Sequence, residues 1–358
     1  MPVQTPSDFA RAPFIAIWEV TRACALACLH CRADAIPRRD PREQTTEEGF
    51  QLIDEIRSFG EPPPLFVLTG GDPMRRPDLV ALVRHATAVG LNVALTPSGT
   101  AAVTSARLAE LRDAGLKRVA VSLDGPDAAT HDAFRRVRGS YDWTMRIIEA
   151  ATELGMPLQI NSTVGRLTYP HLEAMVQRVR ELPITLWAVF FLIATGRGTT
   201  LDQITAEECE RVLTFLHDLA PTVPFGIKTT EAPHYFRVAA ERQTIGTNPR
   251  ATTPVRSIQM RAHRAVTDGN GFVFIDHVGQ IHPSGFLPVT CGSVRTDSLV
   301  HTYREHELFL RLRDPDGFDG KCGRCEFRRI CGGSRARAYA ATGSPFASDP
   351  LCAYEPAT

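Results

Sequence analysis

Short apolar segments alternate with longer amphipathic segments through the first 220 residues, and this alternation constrains the fold more than any other feature of the sequence. The apolar segments have the length of buried strands, and the segments between them have the pattern of helices. Repeated strand–helix units predict an α/β protein with a parallel sheet, and six units favour a partial (β/α)6 barrel over an eight-fold one. The predicted strands are residues 14–20, 65–68, 91–95, 118–123, 158–164 and 184–193.

Helix-start signals precede three of the predicted helices. Thr45 and Thr104 each stand before an amphipathic segment, and Thr205 with Glu208 three residues later forms a capping box. In a parallel barrel the chemistry takes place at the carboxyl ends of the strands. Motifs that directly follow the strands are therefore candidates for a functional site.

The pattern changes after residue 220. The segments there are predicted to be a strand, a helix, a polar linker, the two strands of a hairpin and a helix: residues 224–230, 231–242, 243–254, 271–276, 280–283 and 298–313. We therefore expect three regions: a partial barrel at 1–220, a bridging segment at 221–265 and a small cysteine-rich module at 266–358.

Composition argues against several classes of function. Forty basic residues balance forty acidic ones, so the charge does not indicate binding to nucleic acid or to an anionic membrane. The longest apolar run, residues 186–194, is nine residues long, whereas a membrane-spanning helix needs about 20. No leader peptide is apparent in the first dozen residues. We expect a cytoplasmic protein whose nine cysteines are reduced, so that clustered cysteines indicate metal binding.

Three of the cysteines, Cys24, Cys28 and Cys31, lie within eight residues directly after the first predicted strand. An iron–sulfur cubane that only stores electrons takes four protein thiolates. Three thiolates leave one iron open, and an open coordination position is what catalysis at a metal requires. The alternatives are a zinc site, which usually takes four ligands in two pairs, and a set of unrelated buried thiols.

The Cys-x3-Cys-x-aromatic-Cys spacing, with His30 in the aromatic position, resembles the signature of the radical S-adenosylmethionine (SAM) superfamily. The resemblance implies a 4Fe-4S cluster whose open iron is chelated by the amino and carboxylate groups of SAM. One electron, supplied by a reductant such as flavodoxin or ferredoxin, then cleaves SAM to methionine and a 5′-deoxyadenosyl radical. That radical abstracts hydrogen from the substrate, so the resemblance predicts an enzyme.

Motifs after the later strands resemble the SAM pocket of the same superfamily. Gly70-Gly71-Asp72 stands where the superfamily has Gly-Gly-Glu, and paired glycines can leave backbone N–H and carbonyl groups free for a ligand. Arg135 lies in a His-Asp-x-x-Arg stretch and can pair with a carboxylate. Asn161, inside an apolar strand, must find a partner. The predicted cofactor-binding residues are His30, Gly70, Gly71, Asp72, Ser98, Ser122, Asp124, Arg135 and Asn161.

A second set of cysteines, Cys322, Cys325, Cys331 and Cys352, stands near the C-terminus. Four thiolates satisfy a whole cubane, which suits electron transfer or structure, and a structural zinc site is the alternative. The segment resembles the SPASM/twitch extension of radical SAM enzymes. A full SPASM module has seven cysteines for two clusters, whereas this region has five with Cys291, so the resemblance implies one auxiliary 4Fe-4S cluster. Cys291 is spare or competes with Cys352, and Cys209 is interpreted as a small buried apolar residue.

The spacing of this second set, together with Cys331-Gly-Gly-Ser-Arg, is similar to the radical SAM enzymes of alternative heme and heme d1 synthesis. Those enzymes remove or modify tetrapyrrole propionates, and they often have Cys where this chain has Ser334. Six basic residues against one acid between Lys321 and Arg337 would suit an anionic substrate. A solvated surface, or tuning of the cluster potential, explains this basic patch as well.

Two other functions stay open from the sequence. Maturation of a ribosomal peptide is the commonest role of SPASM-type proteins, so the substrate is either a small molecule or a peptide. A non-catalytic iron–sulfur electron-transfer protein is the other alternative, although it would have no need of an open iron.

Overall fold

The strands of the protein form one sheet. The computed structural model describes residues 9–245 and 265–357. In chain order the strands are β1 (Ile15–Glu19), β2 (Leu65–Thr69), β3 (Asn92–Leu95), β4 (Arg118–Ser122), β5 (Leu158–Val164), β6 (Leu186–Phe191), β7 (Gly226–Thr230), β8 (Phe272–Ile275), β9 (Gln280–His282) and β10 (Gly292–Ser293). Across the sheet the order is β10-β9-β8-β1-β2-β3-β4-β5-β6-β7.

Helices connect most of the parallel strands. They are α1 (Thr46–Arg57), α2 (Leu79–Ala88), α3 (Ser105–Asp113), α4 (Ala128–Arg135), α5 (Ser140–Glu153), α6 (Leu172–Arg180), α7 (Ala206–Leu219), α8 (His234–Ile245), α9 (Leu299–Glu305), α10 (Glu307–Arg313), α11 (Gly320–Arg324) and α12 (Arg335–Thr342). Across residues 9–245 and 265–357, no helix combines the length and the apolar character that crossing a membrane requires.

The helices pack on one face of the sheet, because alternate side chains of each strand are large, apolar and buried. Trp18 of β1 is fully buried on this face. A methyl group added at Gly49 of α1 would lie 2.8 Å from Trp18 and 2.8 Å from Leu82 of α2. The alternate residues of the strands, such as Ile17, which pairs with Val67 in the next strand, face the inside of the barrel.

The sequence-based strands are confirmed. All six predicted apolar segments contain a strand, and residues 224–230 contain the seventh, β7. The seven strands pair in parallel in chain order. Among the described residues β7 and β10 are the edges of the sheet, so the sheet is open, as expected for a partial barrel.

The predicted helix starts are also confirmed. Thr45 and Thr205 each form a capping box with the glutamate three residues later, Glu48 and Glu208. Thr104 accepts a hydrogen bond from the backbone N–H of Arg107. These caps satisfy N–H groups that have no partner inside the helix.

The predicted hairpin is confirmed as β8 and β9, which pair antiparallel. In addition, β8 pairs in parallel with β1, with Ile17 opposite Phe274. The part of the chain after residue 220 therefore extends the sheet on both sides, through β7 on one side and through β8 on the other. The division into regions 1–220, 221–265 and 266–358 stays a prediction.

Two predictions about the second half of the chain were wrong in detail. The predicted helix at 298–313 is interrupted at His306, whose backbone is extended and whose ring accepts a hydrogen bond from the N–H of Leu308 at 3.2 Å. His306 thus ends α9 and caps α10. The predicted linker at 243–254 begins inside α8, which continues to Ile245, and the rest of it lies outside the described residues.

Candidate active site and cysteine module

The loop that follows β1 carries the three N-terminal cysteines on a small apolar cluster. Cys24, Leu26 and Cys28 are buried together, and Cys31 packs against them. Each sulfur accepts one N–H hydrogen bond: at 3.3 Å for Cys24 from Leu26, 3.5 Å for Cys28 from Arg135 and 3.4 Å for Cys31 from Ala35. Burial raises the pKa of the Cys24 thiol, and a bound metal would reverse this because its ligands must be deprotonated.

This cysteine loop is held by a segment that the sequence analysis missed. Nε of Arg197 donates to the carbonyl of Cys28 at 2.9 Å, and its backbone N–H donates to the carbonyl of Cys31 at 3.0 Å. Gly196 has a φ of +53°, and a Cβ there would lie 2.4 Å from the carbonyl oxygens of Cys31 and Arg32. The available signal was the Gly-Arg-Gly that follows the sixth strand, at the same sheet edge as the cysteines.

The glycine pair after β2 lies against the same loop. A Cβ on Gly70 would be 2.4 Å from the carbonyl oxygen of Thr21, and one on Gly71 would be 2.5 Å from that of Arg22. The expectation that both glycines leave their backbone groups free is wrong for Gly71. Its N–H donates to Thr21 at 2.8 Å, and its carbonyl accepts from Ser98 Oγ at 2.6 Å.

Asp72 connects the ends of β2 and β3. Its side chain is fully buried. It accepts hydrogen bonds from Thr100 Oγ1 at 2.8 Å, from the N–H of Met74 at 3.2 Å and from the N–H of Ser98 at 3.4 Å. Burial raises the pKa of this carboxyl group. Ser98 in turn places its hydroxyl 3.5 Å from Cys24 Sγ, so the pocket residues and the cysteine loop form one connected unit.

A buried ion pair connects β4, β5 and the cysteine loop. Arg135 of α4 pairs with Asp124 and also donates to Cys28 Sγ at 3.5 Å. Asp124 accepts from the N–H of Thr163 at 2.6 Å. Burial by itself would raise the pKa of Asp124, but the Arg135 guanidinium outweighs it and holds the pKa below its usual value. The carboxylate that Arg135 meets is therefore one of the protein's own.

The two histidines near this pair are held neutral. His30 stacks on Phe134, with ring centroids 4.3 Å apart and an angle of 10° between the planes. Burial, and then the nearby Arg135, lower the pKa of His30 to about 3. His131 accepts a hydrogen bond at Nδ1 from the N–H of Asp124 at 3.1 Å, and the same causes lower its pKa to about 4. His30 thus supplies the flat ring that the motif calls for.

Ser122 and Asn161 face each other across adjacent strands, since they are paired in the register of β4 and β5. The partner expected for Asn161 is Gln159, whose Nε2 donates to Asn161 Oδ1 at 2.7 Å. The structure therefore connects six of the predicted pocket residues to the cysteine loop, directly or through one partner: Gly70, Gly71, Asp72, Ser98, Asp124 and Arg135. Ser122 ends β4 and Asn161 lies in the middle of β5.

The four C-terminal cysteines line one small cavity, together with His234. Cys291 lies apart from them, in the main core of the barrel, and its thiol is 3.8 Å from the carbonyl of Val289. Burial would raise the pKa of Cys352, but the neighbouring His234 outweighs it and lowers that pKa. These observations favour Cys352 over Cys291 as the fourth member of the set. Cys209 is buried in α7, as predicted.

Neither cysteine set is arranged around a single point. Across residues 9–245 and 265–357, no three His, Cys, Asp or Glu side chains come close enough to hold one metal ion. A 4Fe-4S cluster does not require its thiolates to meet at one point, because each thiolate binds a different iron. Three cysteines on one loop, or four around one cavity, are compatible with this way of binding a cluster.

Two of the six basic residues between Lys321 and Arg337 are buried and do not belong to a surface patch. Arg335 and Arg337 are 1% and 0% exposed. Arg337 pairs with the buried Asp349 at 3.1 Å, and Arg335 donates to the carbonyl of Ala347 at 2.8 Å and to Cys322 Sγ at 3.5 Å. Arg337 also donates to the carbonyl of Glu231 at 2.8 Å. Both guanidinium groups are therefore used by partners within the protein, and the interpretation that they bind an anionic substrate is wrong.

Comparisons with known proteins identify the family of this chain. The family model "Radical SAM superfamily" matches residues 18–179, which include the N-terminal cysteine loop. The AdoMet-dependent heme synthase of Oleidesulfovibrio alaskensis is 41% identical over 355 residues, 99% of this chain and 90% of the relative. The AdoMet-dependent heme synthase of Methanosarcina barkeri is 37% identical over 352 residues, 96% of this chain and 97% of the relative.

The fold is also found among solved structures. Streptococcus suis SuiB, crystallised with precursor peptide SuiA, matches with a TM-score of 0.71 and 17% identity over 96% of this chain and 76% of SuiB. This likeness concerns the fold alone, and it includes the cysteine-rich C-terminal region. Radical SAM enzymes use a 4Fe-4S cluster together with SAM, the compound that the names of the relatives abbreviate as AdoMet. The chain therefore belongs to the radical SAM superfamily, as an enzyme related to the AdoMet-dependent heme synthases.

Proposed function

We propose that this enzyme acts in heme synthesis, on the propionate side chains of a tetrapyrrole. The observation that carries the proposal is the identity of about two residues in five, over nearly the full length, with AdoMet-dependent heme synthases. The C-terminal cysteine spacing, which resembles that of heme and heme d1 enzymes, supports the same substrate. The peptide-maturase alternative has no comparable support.

We further propose that Cys24, Cys28 and Cys31 hold the catalytic 4Fe-4S cluster. Their three sulfurs lie on one loop, and each accepts an N–H donor that stabilises a thiolate. When bound, the cluster and SAM supply the 5′-deoxyadenosyl radical. The protein's own part is to hold the loop rigid, through Arg197 and Arg135, and to exclude water from the thiols by burial.

SAM is proposed to bind beside this loop, at the strand ends. The proposed lining is the ring of His30, the glycine pair at 70 and 71, Ser98, Ser122 at the end of β4 and Asn161 in the middle of β5. Asp72, Asp124 and Arg135 support this pocket through hydrogen bonds within the protein, and they position their neighbours.

Cys322, Cys325, Cys331 and Cys352 are proposed to hold a second 4Fe-4S cluster. The support is that all four line one cavity, while Cys291 lies elsewhere. Four thiolates leave no iron open, so this cluster would transfer electrons or stabilise the module. A flavodoxin or a ferredoxin is the proposed reductant.

The test is an anaerobic reaction of the reconstituted, reduced enzyme with SAM and an iron porphyrin that carries free propionates. We expect 5′-deoxyadenosine to form together with a porphyrin of changed mass, and the methyl ester of the same porphyrin to stay unchanged. An unchanged porphyrin, with SAM cleavage stimulated by a peptide, would replace the proposal with the maturase alternative.

A further inference from the structure

A cavity of about 290 Å³ lies inside the barrel and is not used by the site described above. It is lined largely by the starts of strands, by the end of β7 and by Ser334 of the C-terminal module. Its surface is mostly apolar, with Ile15, Leu65 and Phe272 among the lining residues. Cavities of this composition, with a few polar groups, are typical of small-molecule sites.

Two cations line this cavity, Arg118 at the start of β4 and Lys228 in the middle of β7. Val119, which follows Arg118, and Ile227, which precedes Lys228, both belong to the main apolar core. Because successive side chains of a strand point to opposite faces of the sheet, the side chains of Arg118 and Lys228 are directed to the inside of the barrel. In the described part of the chain neither side chain has a hydrogen bond or an ion pair.

Such an arrangement is unfavourable without a ligand. Taking a cation out of water costs free energy unless an anion or hydrogen-bond acceptors replace the water. Burial, and then the charge of Arg118, lower the pKa of Lys228 to about 8, and burial lowers the pKa of Arg118. An anion between the two side chains would relieve both effects. Thr230 Oγ1, on the same strand, is buried without a hydrogen-bond partner among the described residues and adds a donor.

The acids of the same cavity do not neutralise these cations. Glu231 accepts a hydrogen bond from Ser334 Oγ at 2.5 Å, and Asp268 accepts one from the N–H of Ala336 at 2.9 Å. Both carboxyl groups are thus directed to the C-terminal module. Burial, and then Asp268, raise the pKa of Glu231, which favours its uncharged form.

We propose that Arg118 and Lys228 bind carboxylate groups of the substrate inside the barrel, which rests on the proposed function. The cavity is too small for a whole tetrapyrrole and has room for its side chains. A tetrapyrrole with several propionates has more carboxylates than the one that reacts. Some of them are bound in this cavity while another reacts. The two residues are binding residues that orient the substrate. They take the role that the sequence analysis gave to the C-terminal basic patch, which is to bind the negatively charged groups of the substrate.

The experiment compares Arg118→Gln and Lys228→Gln with Lys117→Gln, which removes an exposed cation next to Arg118 in the sequence. Absorption titrations measure the Kd of two ligands, an iron porphyrin with free propionates and its methyl ester. Because a charge-assisted hydrogen bond is lost, each cavity variant should bind the free acid about tenfold or more weakly. Lys117→Gln should stay within about twofold of wild type.

Three further readouts decide the interpretation. The ester should bind all variants equally, and 5′-deoxyadenosine formation without porphyrin should match wild type, because SAM binds elsewhere. Lys228→Arg keeps the positive charge and should restore binding of the free acid. If Arg118→Gln does not fold, the comparison of Lys228→Gln with Lys228→Arg is sufficient to test the proposal.

Unchanged binding of the acid, or equal loss of acid and ester, would overturn this inference and leave the proposed function intact. A loss confined to SAM cleavage would assign the cations to the carboxylate of SAM and would also overturn it. If wild type binds no porphyrin of either kind, the proposed function fails, and this inference fails with it.

Discussion

The two cysteine sets use the same side chain and are held in different ways. The N-terminal loop has three thiols at the edge of the barrel, and other elements brace it from outside, through Arg197 and Arg135. The C-terminal module has four thiols around one cavity, and a buried pair of Arg337 and Asp349 stabilises its interior.

This difference indicates how one residue type serves two purposes. A set of three thiolates leaves a coordination position for a reactant, so it must lie where the strand ends can bind that reactant. A set of four leaves none, so it needs only a stable enclosure. In this chain the first set is connected by hydrogen bonds to the pocket residue Ser98, and the second to the interior of its own module.

The largest effect expected from this comparison concerns the first set. Cys24→Ala, Cys28→Ala or Cys31→Ala should abolish 5′-deoxyadenosine formation and leave the fold largely intact, because two thiolates do not hold the catalytic cluster. Chromatography of anaerobic reactions measures the product, and circular dichroism measures the fold. Cys291→Ala is the control and should cleave SAM normally. Unchanged cleavage in any of the three variants would remove the distinction between the two sets.

The second set should behave differently. Replacing Cys322, Cys325 or Cys331 with Ala should remove about half of the iron, because one of two four-iron clusters is lost. SAM cleavage should persist at some level, while conversion of the porphyrin falls. Metal analysis of anaerobically purified protein is the measurement. Stoichiometric zinc with a single cluster in wild type would show that the module is a zinc site.

A smaller effect is expected at the ion pair that braces the first set. Arg135→Gln leaves the Asp124 carboxylate buried without its cation, which should lower the free energy of unfolding by about 3 kcal/mol. Arg138→Gln removes an exposed cation nearby and should cost no more than about 0.5 kcal/mol. Anaerobic denaturant titrations compare them. Equal losses would mean that the pair does not stabilise the loop region.

The smallest expected effect concerns the pH dependence of substrate binding, in which neither cysteine set takes part. Affinity for the porphyrin acid should fall as pH rises through about 8, because Lys228 then loses its positive charge. Glu231, whose pKa is raised by burial, adds to the fall when it gains a negative charge. Each proton contributes a fall of at most about tenfold per pH unit. Glu231→Gln should retain the part due to Lys228. The double variant with Lys228→Gln should show a much smaller fall, due to Asp268, whose pKa burial also raises. A steep fall in the double variant would refute this origin.

Sequence patterns predicted the strands, the caps and both cysteine sets because these are local signals. Strand length, a threonine three residues before a glutamate and the spacing of cysteines can each be read within a short segment. The same is true of His30, whose position between two cysteines indicated a flat ring. The parallel pairing of the first seven strands agrees with the strand–helix alternation, whereas the position of β8 beside β1 was not predicted.

Contacts between distant segments could not be predicted. Arg197 meets the carbonyl of Cys28 across more than 160 residues, and no local pattern gives that pairing. Arg335 and Arg337 were interpreted as part of a patch that suits an anionic substrate, because a run of basic residues does not show which side chains are buried. Arg118 and Lys228 did carry a signal: each is a lone charge in an apolar strand, the argument that correctly gave Asn161 a partner.

The most direct test of the central claim is the electron paramagnetic resonance spectrum of the reduced protein, recorded with and without SAM. The N-terminal loop is claimed to hold the cluster that SAM binds. In wild type and in Cys331→Ala, SAM should shift a cluster signal, because the open iron is present in both. In Cys28→Ala the remaining signal should not respond to SAM. A SAM-dependent shift in Cys28→Ala, or its absence in wild type, would contradict the account.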